Sequence, residues 1–192
     1  MFLTPKILRY VILMLLISAT LPALAAIIGG NPKGSITLIE VYDYQCPHCR
    51  AEYPVIQQLI ASNADLKVRY MPVAILNSVS IYEAATAIAA ANVNGGFQAF
   101  NELAMTGPVQ NTTGVDNLLR RMGLTSKQFV MSMHTQAVEQ QMMEGLSFLK
   151  VEHSGTPLII VYPTNNPKMT AVLKGEQTES ALQEVINHAR NP

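Results

Sequence analysis

The chain has 192 residues, of which 49% are hydrophobic, 14% charged and 6% aromatic, with 13 basic side chains balanced by 13 acidic ones. That is too apolar for a disordered segment and too evenly charged for a nucleic-acid binder, so no nucleic acid is expected among its partners. The length suits one domain with a sizeable core, or one domain carrying an insertion.

Met1 to Ala25 reads as a signal peptide. Lys6 and Arg9 form a positive start, Tyr10 to Leu21 is apolar, and Ala23-Leu24-Ala25 after Pro22 supplies the small-x-small pattern of cleavage. No Cys near that point offers an attachment for a lipid anchor. The alternative is an uncleaved anchor, because Tyr10 to Ile28 is uncharged and a span takes about 20 apolar residues. Lys6 and Arg9 would then stay in the cytoplasm. On either reading the domain lies outside the cytoplasm, where disulfides persist, and a periplasmic location is expected.

From Ser35 onward the pattern is βαβ. Gly29 to Pro32 is turn chemistry, and Ile36 to Tyr42 is the continuous apolar run of a strand covered on both faces. Pro47 suits a first helical turn, which needs no N–H donor there. The helix is predicted to run to about Ser62, with Pro54 kinking it. Leu66 to Val73 reads as the second strand. Residues 77–150 then change character, with the Ala84 to Ala91 run, breaks at Gly95-Gly96 and Thr106-Gly107-Pro108, and a capping box at Thr125 to Gln128. Four or five helices and no strand are expected there. Strand patterns return at Leu158 to Tyr162 and Thr170 to Leu173, and Thr178 to Ala189 closes the chain as a helix. This predicts an α/β domain made of residues 26–76 and 151–192, with 77–150 as a helical insertion.

Cys46-Pro47-His48-Cys49 falls where a strand passes into a helix. A thiol at a helix N-terminus meets free N–H groups and the positive end of the dipole, which favour its thiolate. His48 adds a donor or positive charge beside it. Cys46 is therefore the candidate nucleophile and leaving group, and Cys49 the thiol that resolves a mixed disulfide. Other uses fit less well. A structural disulfide across so short a loop would stabilise by only about 2 kcal/mol. Two cysteines do not make a zinc site, and His134, His153 and His188 show no ligand spacing. Covalent haem attachment needs His after the second Cys, where Arg50 stands. No metal and no cofactor is expected.

Glu40 sits six residues before Cys46 in the most apolar strand, on one face with Ile36, Leu38 and Tyr42. Burial there raises a carboxyl pKa, which suits a proton acceptor for Cys49; an acid merely paired with Lys or Arg is the competing reading. Pro157, after Gly155-Thr156, starts a strand. From residues alone a trans Thr156–Pro157 bond is the commoner form. Met105, Met122, Met131, Met133, Met142 and Met143 lie in the helical region, where core packing explains most of them. An adaptable apolar surface, or copper ligation by Met131 and Met133, are the alternatives.

These residues resemble the DsbA-like thiol:disulfide oxidoreductases of the thioredoxin superfamily. The match runs from Gly30-Asn31-Pro32-Lys33 through Ile39-Glu40-Val41-Tyr42-Asp43-Tyr44-Gln45 to the Cys-Pro-His-Cys tetrad. Glu40 resembles the family's buried acid, Pro54 its kink proline, and Thr156-Pro157 its substrate-binding cis-proline loop. The resemblance implies a thioredoxin fold, a mixed central sheet flanked by helices, with an inserted all-helical domain. It also implies a redox-active Cys46–Cys49 disulfide and a cis bond at Pro157. The expected activity is oxidation of newly exported, unfolded cysteine-containing proteins, with re-oxidation by a DsbB-type membrane quinone reductase. Thr156 departs from the Val of the strong oxidases and is the residue met in isomerases, which leaves a reductase or isomerase fed by a membrane electron donor as the alternative. A non-catalytic chaperone or metal-binding module is a further one. About ten residues between Ala25 and the first strand leave no room for an N-terminal dimerisation domain, so a monomer is expected.

Overall fold

In the computed structural model, residues 26–168 and 170–191 are described. The proposed signal peptide and cleavage site lie outside them. No helix among the described residues is long and apolar enough to cross a membrane.

The elements follow in the order β1 (Ile27–Gly30), β2 (Ile36–Tyr42), α1 (Pro47–Ser62), β3 (Leu66–Pro72), α2 (Ser78–Ala90), α3 (Gly96–Thr106), α4 (Thr112–Arg121), α5 (Lys127–Ser132), α6 (Gln136–Glu152), β4 (Leu158–Pro163), β5 (Ala171–Lys174) and α7 (Glu179–Arg190). The sheet order is β1-β3-β2-β4-β5, with β2 and β3 parallel and every other pair antiparallel. The βαβ unit, the five intervening helices and the terminal ββα unit agree with the sequence pattern.

β1 is the element that the pattern did not predict. Ile27 pairs with Tyr70 and Ile28 with Arg69, so these residues belong to the sheet edge and a membrane span reaching Ile28 is excluded. Its four residues are too few to show a period, and the two glycines in it read as a turn. The capping site of α5 also lies one residue on: Ser126, not Thr125, accepts the Phe129 N–H.

All seven residues of β2 are buried, as befits a central strand covered on both sides. Ile36, Leu38 and Tyr42 pack on one face, with Tyr53, Ile56 and Leu59 of α1 and Leu182 and Ile186 of α7. Ile39 and Val41 pack on the other, with Met71, Val73 and Leu149 of α6. α6 approaches this face at Gly145, where a Cβ would meet Val73 Cγ1 at 2.5 Å. The first core runs on into the five helices through Ile88, Phe97, Phe100, Leu118 and Phe129. At the join, Tyr42 meets Tyr44 and Tyr44 meets Phe100 edge-on, with centroids 5.2 and 5.5 Å apart. Both tyrosine hydroxyls donate to Asn101 Oδ1, at 2.9 and 2.7 Å.

Candidate active site

The parallel β2–β3 pair delivers the end of β2 and the start of α1 to one edge of the mixed sheet. Asp43 shapes the passage between them. Its carbonyl accepts the Cys46 N–H at 3.0 Å, and its Oδ1 accepts the Gln45 N–H at 2.9 Å. Its Oδ2 accepts the N–H groups of Ile75 and Leu76, holding the β3–α2 loop beside the cysteines. Gln45 reaches the other way, donating to Glu83 Oε2 at 2.7 Å and to the Gln110 carbonyl.

Cys46 is the N-cap of α1 and Pro47 opens the helix. The Cys46 side chain is only 6% exposed, and its Sγ donates to the Thr156 carbonyl at 3.4 Å. The Thr156–Pro157 bond is cis. The two thiols are unbonded in this structure. The Cys49 thiol, aided by the backbone N–H groups of Cys49 and His48, lowers the Cys46 pKa to about 5 against the opposing effect of burial. Cys49 is fully buried, and burial first, then its bond to Cys46, pushes its own thiol far up. One sulfur is thus poised as a thiolate and its neighbour as a thiol.

His48 faces solvent and its Nδ1 lies 2.9 Å from Glu176 Oε2. That contact, with the neighbouring Cys46 charge as a smaller cause, raises the His48 pKa. The imidazole thus answers to Glu176 first, while the His48 backbone answers to Cys46.

Glu40 lies beneath α1, 1% exposed, with neither carboxyl oxygen hydrogen-bonded. Burial is the main reason its pKa is well above the ordinary value, and the nearby Glu52 adds to it. No Lys or Arg pairs with it among the described residues, which disfavours the tolerated-ion-pair reading.

Sequence reasoning passed over Glu52 and Glu83. Both are fully buried and both are pushed up to about 7, chiefly by burial. The signal that exposed Glu40 was present for each: Glu52 falls on the apolar stripe of α1 with Cys49, Tyr53 and Ile56, and Glu83 opens the alanine run of α2. Arg50 does more than exclude haem attachment. Its guanidinium donates to the carbonyls of Ala104 and Gly107, tying α1 to the end of α3.

The methionines divide. Met105 and Met133 are core residues, the latter accepting the Thr86 hydroxyl on its sulfur, whereas Met131 and Met143 are exposed. Met131 and Met133 therefore do not face a common copper site. No cluster of three or more His, Cys, Asp or Glu side chains fit for a metal occurs among the described residues.

This arrangement defines a thioredoxin-fold protein with a Cys-Pro-His-Cys motif at the head of its first helix and a cis-proline loop against it. The comparisons agree. A family profile described as Thioredoxin matches residues 23–188, and the chain belongs to that family. A thioredoxin-like oxidoreductase from Silicibacter pomeroyi is 28% identical, with a TM-score of 0.79 over 87% of this chain and 93% of that one. BcfH of Salmonella enterica Typhimurium is 25% identical, with a TM-score of 0.72 over 95% and 81%. The thiol-disulfide exchange protein alpha-DsbA2 of Wolbachia pipientis shares the fold at 21% identity, with a TM-score of 0.73 over 86% and 87%. No curated protein matches the sequence.

Proposed function

We propose that this protein is a thiol:disulfide oxidoreductase that donates a Cys46–Cys49 disulfide to newly exported, cysteine-containing proteins in the periplasm. The observation that carries the reading is the opposed pair of thiols, with Cys46 lowered to about 5 and Cys49 buried and raised. At pH 7 a thiol with a pKa of about 5 is about 99% thiolate, against about 1% at 9. Stabilising the thiolate stabilises the reduced form, which makes the disulfide a better oxidant.

A substrate thiolate attacks Cys46 Sγ, and the Cys46–Cys49 bond breaks. Cys49 leaves and takes a proton supplied by Glu40, while Cys46 stays in a mixed disulfide. A second substrate thiolate then attacks the substrate sulfur and expels Cys46 as its stable thiolate. The substrate dithiol is oxidised and the protein disulfide reduced by two electrons. In the reverse direction Glu40 accepts the Cys49 proton. Thr156 presents its backbone beside Cys46 to an extended substrate, with Pro157 behind it. A DsbB-type quinone reductase restores the disulfide, and the protein acts as a monomer.

The test is the redox equilibrium of Cys46–Cys49 against glutathione. A potential of about −120 mV is expected of an oxidase. A value of about −200 mV or lower overturns that direction in favour of a reductase or isomerase. Cys46→Ala should abolish exchange and Cys49→Ala should trap mixed disulfides with substrate.

A further inference from the structure

Asp43 and Glu83 are accounted for by the loops they hold. Glu52 is not. The buried residues of α1 are Cys49, Glu52, Tyr53, Ile56 and Leu59, the spacing of a single helix face. That face packs on the side of β2 that carries Leu38 and Tyr42, and Glu40 stands between those two on the same side. Glu40 and Glu52 therefore lie in the same layer between strand and helix, and Glu52 helps to raise the Glu40 pKa. Both oxygens of Glu40 and Oε2 of Glu52 are buried without a partner. The remaining oxygen, Glu52 Oε1, accepts the Gln177 N–H at 2.9 Å. Gln177 lies in the β5–α7 loop, next to the Glu176 that holds exposed His48.

The titratable groups acting on the two carboxyls come from every neighbouring element. They are Cys46 at the head of α1, Tyr53 of α1, Tyr42 of β2, Tyr44 just after it, Tyr70 of β3 and Glu176 of the β5–α7 loop. None is a cation. Two adjacent carboxyls enclosed in this way do not both ionise, and titrate as a pair.

We propose that Glu40 and Glu52 share one proton, and that Glu52 is the outlet through which the proton exchanged with Cys49 passes to and from solvent at the β5–α7 loop. The inference rests on the exchange activity proposed above. When substrate thiolate breaks the Cys46–Cys49 bond, Glu40 gives its proton to the departing Cys49 sulfur. That leaves the pair without a proton, a doubly ionised state disfavoured in this enclosed layer, and Glu52 takes one from water at the loop and passes it to Glu40. In the reverse reaction the proton leaves by the same path. Glu52 acts through Glu40 and is a positioning residue for the proton.

Glu52→Gln keeps an oxygen for the Gln177 N–H and removes the exchangeable proton. The experiment compares the full chain with its Glu52→Gln, Glu52→Asp, Glu40→Gln and doubly amidated variants. Single-turnover oxidation of a dithiol peptide is followed across the pH range, with folding checked by circular dichroism. Glu52→Gln is expected to slow the step that protonates Cys49 about tenfold at neutral pH, less than the roughly 10²-fold of a direct general acid because Glu52 acts through Glu40. Added formate or imidazole should restore part of the loss, and Glu52→Asp should keep most of the rate. The double variant should be no slower than Glu40→Gln, because the two carboxyls act in series. An unchanged rate and pH profile in Glu52→Gln overturns the relay, as does a double variant whose losses multiply. A wild-type protein that does not exchange overturns the activity itself, an outcome distinct from a relay failure in an active protein.

Discussion

Replacing Cys49 by Ala separates two explanations of the low Cys46 pKa. A thiol at the head of a helix is stabilised as thiolate by backbone N–H groups, which the substitution leaves in place. The Cys49 thiol is a further donor and the largest single cause of the lowering. A hydrogen bond to a charged group contributes about 1.5–3 kcal/mol, or about one to two pK units. Cys49→Ala should therefore move the Cys46 midpoint from about 5 to about 6–7, still below the ordinary 9 because the N–H groups of His48 and Cys49 remain. The assay is thiolate ultraviolet absorbance against pH, repeated as the pH dependence of alkylation rate. The variant has a single thiol, so its curve is unambiguous. An unmoved midpoint would refute the role of the Cys49 thiol and assign the effect to the helix terminus. A wild-type midpoint near 9 would refute the whole account of the site.

Glu52→Gln should also change stability against pH. Its folded pKa of about 7 lies above the ordinary 4.5, so the folded state holds the proton more tightly than the unfolded chain. Its contribution to stability therefore falls as pH rises from about 4.5 and levels off above about 7, by up to about 3 kcal/mol. The variant should overtake wild type in chemical denaturation across that window, and parallel curves would sink the reasoning. Gly145→Ala places a methyl against Val73 and should destabilise by about 1–3 kcal/mol, read from the denaturant midpoint; an unshifted midpoint would show that α6 can move aside. Glu176→Gln should lower the His48 pKa, because Glu176 is the first cause of its elevation. Imidazole NMR shifts against pH would show this, and an unchanged midpoint would transfer the effect to Cys46.

The parts of the fold legible in the sequence are those that a short periodic signal specifies. Ile36–Tyr42 is apolar on both faces, Pro47 marks a helix start, and the alanine run of α2 has no competing structure. β1 escaped because an edge strand ending in two glycines carries neither period nor β-branched enrichment beyond Ile27-Ile28. At the site, chemistry that depends on local sequence was visible: the two cysteines, His48, and an acid inside an apolar strand. What could not be read was the company each residue keeps. Glu176 lies 128 residues from His48, and Gln177 is 125 from Glu52. Those pairings are made when the β5–α7 loop folds over α1, an event with no periodic trace. The role of Arg50 depends on where α3 ends, which is equally non-local.

The charge balance around Cys46 narrows the physical account of its thiolate. Asp43, Glu40, Glu52 and Glu83 are all buried near the cysteines. Two cations beside the motif are engaged elsewhere, Arg50 with the carbonyls of Ala104 and Gly107 and His48 with Glu176. A thiolate in such company is lowered to about 5 only because neutral donors aimed at its sulfur outweigh burial. Donors of that kind are not screened by salt, whereas exposed ion pairs are. The Cys46 midpoint should hold steady as ionic strength rises, and a midpoint climbing with salt would return the main role to the His48 imidazolium.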